Sequence, residues 1–136
     1  MAAVVDGSLD TNVLLRLALR EIPEQYERAK RLIERPGARF RVSDTAIIEF
    51  AYALSAHYGF SRVQVADAIS SMGALASIIC ERAFFNAVVE QYVAHPKLSF
   101  EDCYLAEKAK VDDALPLWTF DRKLARQSEH TQEVPV

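Results

Sequence analysis

The stretch Ser8-Leu9-Asp10-Thr11-Asn12-Val13-Leu14-Leu15-Arg16 decides the reading of this chain. An apolar run ends at Leu9, one acid follows, and Asp-Thr-Asn leads into the apolar start of a helix. Asx and Thr side chains accept from the free N–H groups of a helix's first turn, so the trio closes a strand-to-helix turn. A carboxylate at the carboxyl end of a first strand stands in the crevice where open α/β sheets take their ligands. Asp10 is therefore the first candidate site residue.

Working outward, 136 residues fit one domain, 1–136, large enough to bury a core. A content of 51% hydrophobic and 26% charged residues argues for a globular chain rather than a disordered one. The net charge of −3 and pI near 5.6 lack the overall basic footprint of a general nucleic-acid binder. They leave room for a local basic patch, or for an acidic site that holds cations. The two cysteines, Cys80 and Cys103, have no metal-type spacing, which argues against a zinc site. They read as reduced thiols of a cytoplasmic protein. No basic leader precedes an apolar core, and no apolar run spans a bilayer, so no membrane role is expected.

Short apolar runs alternate with helical patterns along the chain. The expected strands are Ala2–Leu9, Phe40–Val42, Ala76–Cys80 and Ala114–Phe120, with Thr131–Val136 as an edge strand or loose tail. The expected helices cover Asn12–Leu19, Pro23–Glu34, Thr45–His57, a segment capped by Ser61, Glu81–Ala94, Phe100–Val111 and a short one from Asp121. The Ile47, Ala51, Leu54, Tyr58 spacing marks one helical face. The alternation predicts an α/β fold with a short parallel sheet covered by helices on both faces.

Three further acids join Asp10. Asp121 follows the run Leu117-Trp118-Thr119-Phe120 as Asp10 follows the first; if the two strands are parallel neighbours, both carboxylates lie at one sheet edge. Asp102 sits in the first turn of its helix with Leu105, Ala106 and Ala109 at i+3, i+4 and i+7, so it faces inward with that stripe. No Lys, Arg, Asp or Glu other than Glu49 occurs from Thr45 to Phe60. A helix that uncharged is covered on most sides, so its one acid has a purpose beyond solvation. Each acid also has a plainer reading, as a helix cap or a solvated charge. Four carboxylates in one crevice need a counter-charge, and a hard divalent cation supplies it. Such an ion can activate water beside a phosphate, which leads to metal-dependent phosphodiester hydrolysis.

These residues resemble the PIN-domain ribonucleases, and more narrowly the VapC-type toxins of toxin–antitoxin pairs. The resemblance rests on Leu9–Arg16, on Val42-Ser43 through Glu49, on Phe100-Glu101-Asp102-Cys103-Tyr104-Leu105-Ala106 and on Leu117–Ala125. It implies a three-layer α/β/α fold, and Asp10, Glu49, Asp102 and Asp121 as a catalytic site holding Mg²⁺ or Mn²⁺. It implies endonucleolytic cleavage of RNA, with water attacking phosphorus and a 3′-hydroxyl leaving. Thr11, Asn12 and Thr119 match positions that shape the site. A small antitoxin protein and a second copy of the chain are the implied partners. The aromatics Phe50, Tyr52, Tyr58 and Phe60 either feed a groove between the third and fourth helices, the region that receives the antitoxin in the family, or pack in the core, the expected place for at least half of them. The Asp6-Gly7-Ser8 segment departs from the plainest pattern and leaves the first strand's register open.

Arg16, Arg122, Lys123 and Arg126 are candidates for RNA phosphates, or plain surface charges. Asp112 and Asp113 fall at the amino end of the last strand and are left out of the site. Alternatives are a PIN nuclease of RNA processing, an inactive PIN-fold binding module, and a receiver-like phosphoryl-transfer domain. The last needs paired acids after the first strand and a late-strand lysine, whereas this chain has Asp10 alone and Thr119-Phe120-Asp121.

Overall fold

A computed structural model describes residues 4–136. The start of the expected first strand, at Ala2 and Ala3, lies outside the described residues. The chain forms two compact units, one ending at Arg82 and the other Ala83–Val136. Both alternate helices with short parallel strands, as the α/β reading predicts.

The first unit runs β1 (Gly7–Ser8), α1 (Thr11–Leu19), α2 (Pro23–Ile33), β2 (Phe40–Arg41), α3 (Asp44–Ala56), α4 (Arg62–Gly73) and β3 (Ile78–Ile79). The three strands pair in parallel in the order β1-β2-β3, with Gly7 opposite Phe40 and Phe40 opposite Ile78. Helix starts follow local chemistry. Asp10 caps α1, Ser43 caps α3, and Ser61 with Gln64 closes a capping box on α4. Ile47, Ala51 and Leu54 are buried on α3, while Val65, Ile69 and Met72 are buried on α4. Tyr58, which extends the α3 spacing, lies past the helix end and is 37% exposed. Its hydroxyl donates to Glu21 at 2.8 Å.

β1 is much shorter than the run Ala2–Leu9 suggested, and its register is now defined. The Asp6 N–H donates to the Arg39 carbonyl at 2.7 Å, and the Asp6 carboxylate accepts from the Arg39 N–H at 2.8 Å. The Leu9 N–H then donates to the Arg41 carbonyl at 2.9 Å. Gly7 makes this path feasible: its φ of +145° is a conformation that side-chain-bearing residues rarely adopt. Space is not the constraint, because an added Cβ would meet only Phe40 at 4.0 Å. Gly7→Ala is expected to cost about 1–3 kcal/mol of backbone strain, read as a lower urea midpoint with unchanged slope.

The second unit holds α5 (Arg82–Ala94), which starts at the last residue of the first, then α6 (Phe100–Val111), β4 (Leu117–Thr119), α7 (Arg122–Gln127) and β5 (Thr131–Glu133). Its core is aromatic: Phe85 stacks on Phe100 with centroids 6.5 Å apart, and Tyr92 meets Phe100 edge-on at 5.6 Å. On α5, Phe85 and Val89 are buried with Val88 and Tyr92, whereas Phe84 is only partly covered. β4 pairs with β5 in parallel, Leu117 opposite Thr131. The tail is therefore a strand, tied by the Thr131 hydroxyl, which lies 2.9 Å from the Leu124 carbonyl. β4 begins only after Pro116, which has no N–H to give a ladder.

Among the described residues the strands pair as β1-β2-β3 in the first unit and as β4-β5 in the second. One expectation needs correction. The buried face of α6 is Phe100, Cys103, Ala106 and Glu107, while Leu105 is 42% exposed. Asp102 therefore flanks the buried face, half-covered, instead of lying in it.

Both cysteines are free thiols. Burial raises the Cys80 pKa above its ordinary value, with the charges of Glu81 and Asp44 adding in the same direction. A thiol held protonated is a poor nucleophile and metal ligand. No described helix is long and apolar enough to cross a membrane.

Candidate active site

Asp10 leaves β1 and caps α1. Its Oδ1 accepts from the Val13 N–H at 3.1 Å. Glu49 reaches the same region from α3. The Thr11 hydroxyl lies 3.0 Å from Glu49 Oε2 and 3.3 Å from the Ala46 carbonyl. A hydroxyl has one proton to donate, and the charged, nearer oxygen is the stronger acceptor. Asp10, Thr11, Asn12 and Glu49 line one open cavity of about 670 Å³, together with Ser43 and His57. The first unit thus brings together two of the four acids and both site-shaping residues of the first turn.

The sequence reading missed Ser43 and His57. Glu49, Ala53 and His57 recur at i, i+4 and i+8, and all three line the cavity. That spacing was available, but the Ile47/Ala51/Leu54 face drew the assignment. Of the four groove aromatics, Phe50 and Phe60 line a separate apolar cavity of about 270 Å³ with residues of α1 and α4. Tyr52 is 65% exposed and meets His57 edge-on at 5.7 Å.

In the second unit, Asp102 is the third residue of α6. Its Oδ2 accepts from the Ser99 N–H at 3.3 Å, and Ser99 Oγ accepts from the Asp102 N–H at 3.0 Å. Asp121 caps α7 through Oδ1, which accepts from Lys123 N–H at 2.9 Å and Leu124 N–H at 3.2 Å. Thr119 Oγ1 accepts from the Asp121 N–H at 2.9 Å and so fixes the turn that presents this acid. The plainer reading of these acids as caps is therefore correct as far as it goes. Capping occupies only one oxygen in each of Asp10, Asp102 and Asp121; the other takes no hydrogen bond among the described residues.

Among the candidate cations, Arg16 is held by Gln25 at 2.7 Å and Glu21 at 2.8 Å. Arg122 lies 3.4 Å from Glu133. Lys123 and Arg126 are exposed. Asp112 faces Lys108 at 3.5 Å.

This donor set suits a hard cation. Carboxylates fixed through one oxygen offer the second without reorganising. Mg²⁺ binds typically through one or two carboxylates, keeping several waters and taking substrate phosphates. Asp10 and Glu49 supply such a pair in one solvent-open cavity. Among the described residues no three or more His, Cys, Asp or Glu side chains form a group placed to hold a metal.

The class defined so far is an α/β domain with a carboxylate-lined cavity beside its first strand-to-helix turn. A model of the PIN domain family matches residues 8–129, and the chain belongs to that family. The matched segment contains Asp10, Glu49, Asp102 and Asp121. PIN domains are typically metal-dependent nucleases that act on RNA. No curated protein matches the chain.

Proposed function

We propose that this chain is a Mg²⁺- or Mn²⁺-dependent endoribonuclease and the toxin of a toxin–antitoxin pair. The observation that carries the nuclease reading is the shared cavity of Asp10 and Glu49 at the first strand-to-helix turn of a PIN domain. Asp10 and Glu49 hold the cation, and the Thr11 hydroxyl orients Glu49. Asp102 and Asp121 are assigned to the same chemistry by the sequence resemblance, each with an oxygen left open by its capping bonds. When bound, the divalent ion neutralises phosphate charge and lowers the pKa of water. The oxygen of water forms a bond to phosphorus, the bond from phosphorus to the 3′-oxygen breaks, and that oxygen leaves with a proton. The products carry 5′-phosphate and 3′-hydroxyl ends.

The toxin reading rests on the four sequence motifs and their order. It brings a small antitoxin protein, a homodimer and a cytoplasmic setting as parts of the same proposal. An adjacent gene whose small product silences cleavage supports it; a chain with no such neighbour fits RNA processing instead.

The test is cleavage of a mixed single-stranded RNA pool with Mg²⁺ or Mn²⁺ and again in EDTA. Metal-dependent products with 3′-hydroxyl ends support the proposal, and products that persist in EDTA overturn it. Thr11→Val is expected to slow cleavage by about 2–10-fold, the scale of one hydrogen bond. Thr11→Ser restores the rate if the hydroxyl is what matters.

A further inference from the structure

A second cavity, of about 600 Å³, opens between α1 and α2 and shares Asp10 and Asn12 with the carboxylate cavity. Its lining includes Arg16, Arg28, Arg31 and Arg35, with Asp10 as its only carboxylate. This is a strongly basic concavity in a chain of net charge −3. Arg28 and Arg31 stand three residues apart on α2, and Arg35 follows just past its end. The neighbouring acids Glu24, Glu27 and Glu34 are absent from the lining. Acids and arginines interleave in the sequence, so the segregation of charge is spatial.

Two of the four guanidiniums have carboxylate partners, one close and one weak. Arg16 is fixed by Glu21, but Arg28 lies 3.6 Å from Glu24 with both side chains at least 67% exposed, a weak pair. Arg31 and Arg35 have no carboxylate partner among the described residues. The exposed Arg31 and Arg35 are therefore available to an incoming anion. Guanidinium forks match phosphate oxygens two at a time. The lining also offers Val13, Ala29 and Leu32 as apolar surface for a sugar or base.

We propose that this arginine-lined cavity binds successive phosphates of single-stranded RNA and leads the strand to Asp10. The inference rests on the RNA-cleaving reading and adds a substrate track that the sequence did not reveal beyond Arg16. From Arg28 to Arg35 is about 10 Å at the helical rise, the length of about three stacked nucleotides.

The test is binding of a fluorescein-labelled single-stranded RNA by the whole chain, followed by anisotropy as salt is varied. Ca²⁺ replaces Mg²⁺, and a gel checks that the RNA stays intact. Arg31→Gln/Arg35→Gln is expected to weaken binding and to reduce the slope of log affinity against log salt by about 1.4, two contacts at about 0.7 each. Lys97→Gln/Lys110→Gln removes the same charge from exposed sites elsewhere and should leave the slope unchanged. Equal losses in both pairs, or none in the arginine pair, overturn the track while leaving the nuclease reading standing. A wild-type chain that binds no RNA overturns both. Displacement of the RNA by poly-glutamate at equal charge concentration would assign the cavity to an acidic protein segment and overturn the proposal.

Discussion

Asp10→Asn is expected to yield a folded protein whose RNA cleavage falls by at least about 10²-fold, the scale of losing one fixed charge-stabilising group. The fold survives because the structural task of Asp10 is to accept the Val13 N–H through Oδ1, and asparagine caps a helix as well as aspartate does. The substitution removes only the charge and the oxygen that takes no hydrogen bond among the described residues. Asp10→Ala removes both tasks: cleavage falls equally, and α1 loses about 1 kcal/mol of capping as well. Comparing the two in urea melts and in cleavage assays separates them. An Asn variant that cleaves at the wild-type rate would leave Asp10 as a cap alone.

Phe50→Ala is expected to have the largest effect on stability. Phe50 is 1% exposed, follows Glu49 directly on α3, and shares the interior with Ile47 and Leu54 at 0%. Truncating a buried Phe costs about 3–5 kcal/mol, against total stabilities of about 5–15 kcal/mol. The upper end is expected, because Phe50 already borders a cavity of about 270 Å³ that its loss enlarges. Tyr52→Ala, two residues on and 65% exposed, should change stability by less than about 0.5 kcal/mol. Urea midpoints give the comparison. Similar losses in the two variants would mean that α3 is not anchored through its Phe50 face.

The helices were legible because their starts are local chemistry. Asp10, Ser43, Ser61, Ser99 and Asp121 each cap the helix that the sequence placed after them. The strands were overdrawn, because an apolar run signals burial while pairing depends on a partner far along the chain. Gly7 meets Phe40 and Leu117 meets Thr131 for only two or three residues. On α6, periodicity put Leu105 inside, yet Leu105 is exposed and Glu107 is 6% exposed; hydrophobicity alone could not rank that Leu against that Glu. Asp10 and Asp121 were found from their place after strands. Glu49 was found from the lack of other charges around it, although its contact with Thr11, 38 residues away, has no signature in sequence. The arginines of α2 interleave with Glu24, Glu27 and Glu34 in the sequence, and only their meeting with α1 around one cavity sets them apart.

The central claim is that Asp10 and Glu49 form a cation-holding pair, and thermal melting with and without Mn²⁺ tests it most directly. Asp10→Asn removes one carboxylate of the pair, so it should abolish the rise in melting temperature that Mn²⁺ gives the wild type. Because asparagine preserves the cap, loss of α1 structure does not confound the comparison. A variant with an undiminished response to Mn²⁺ would contradict the account.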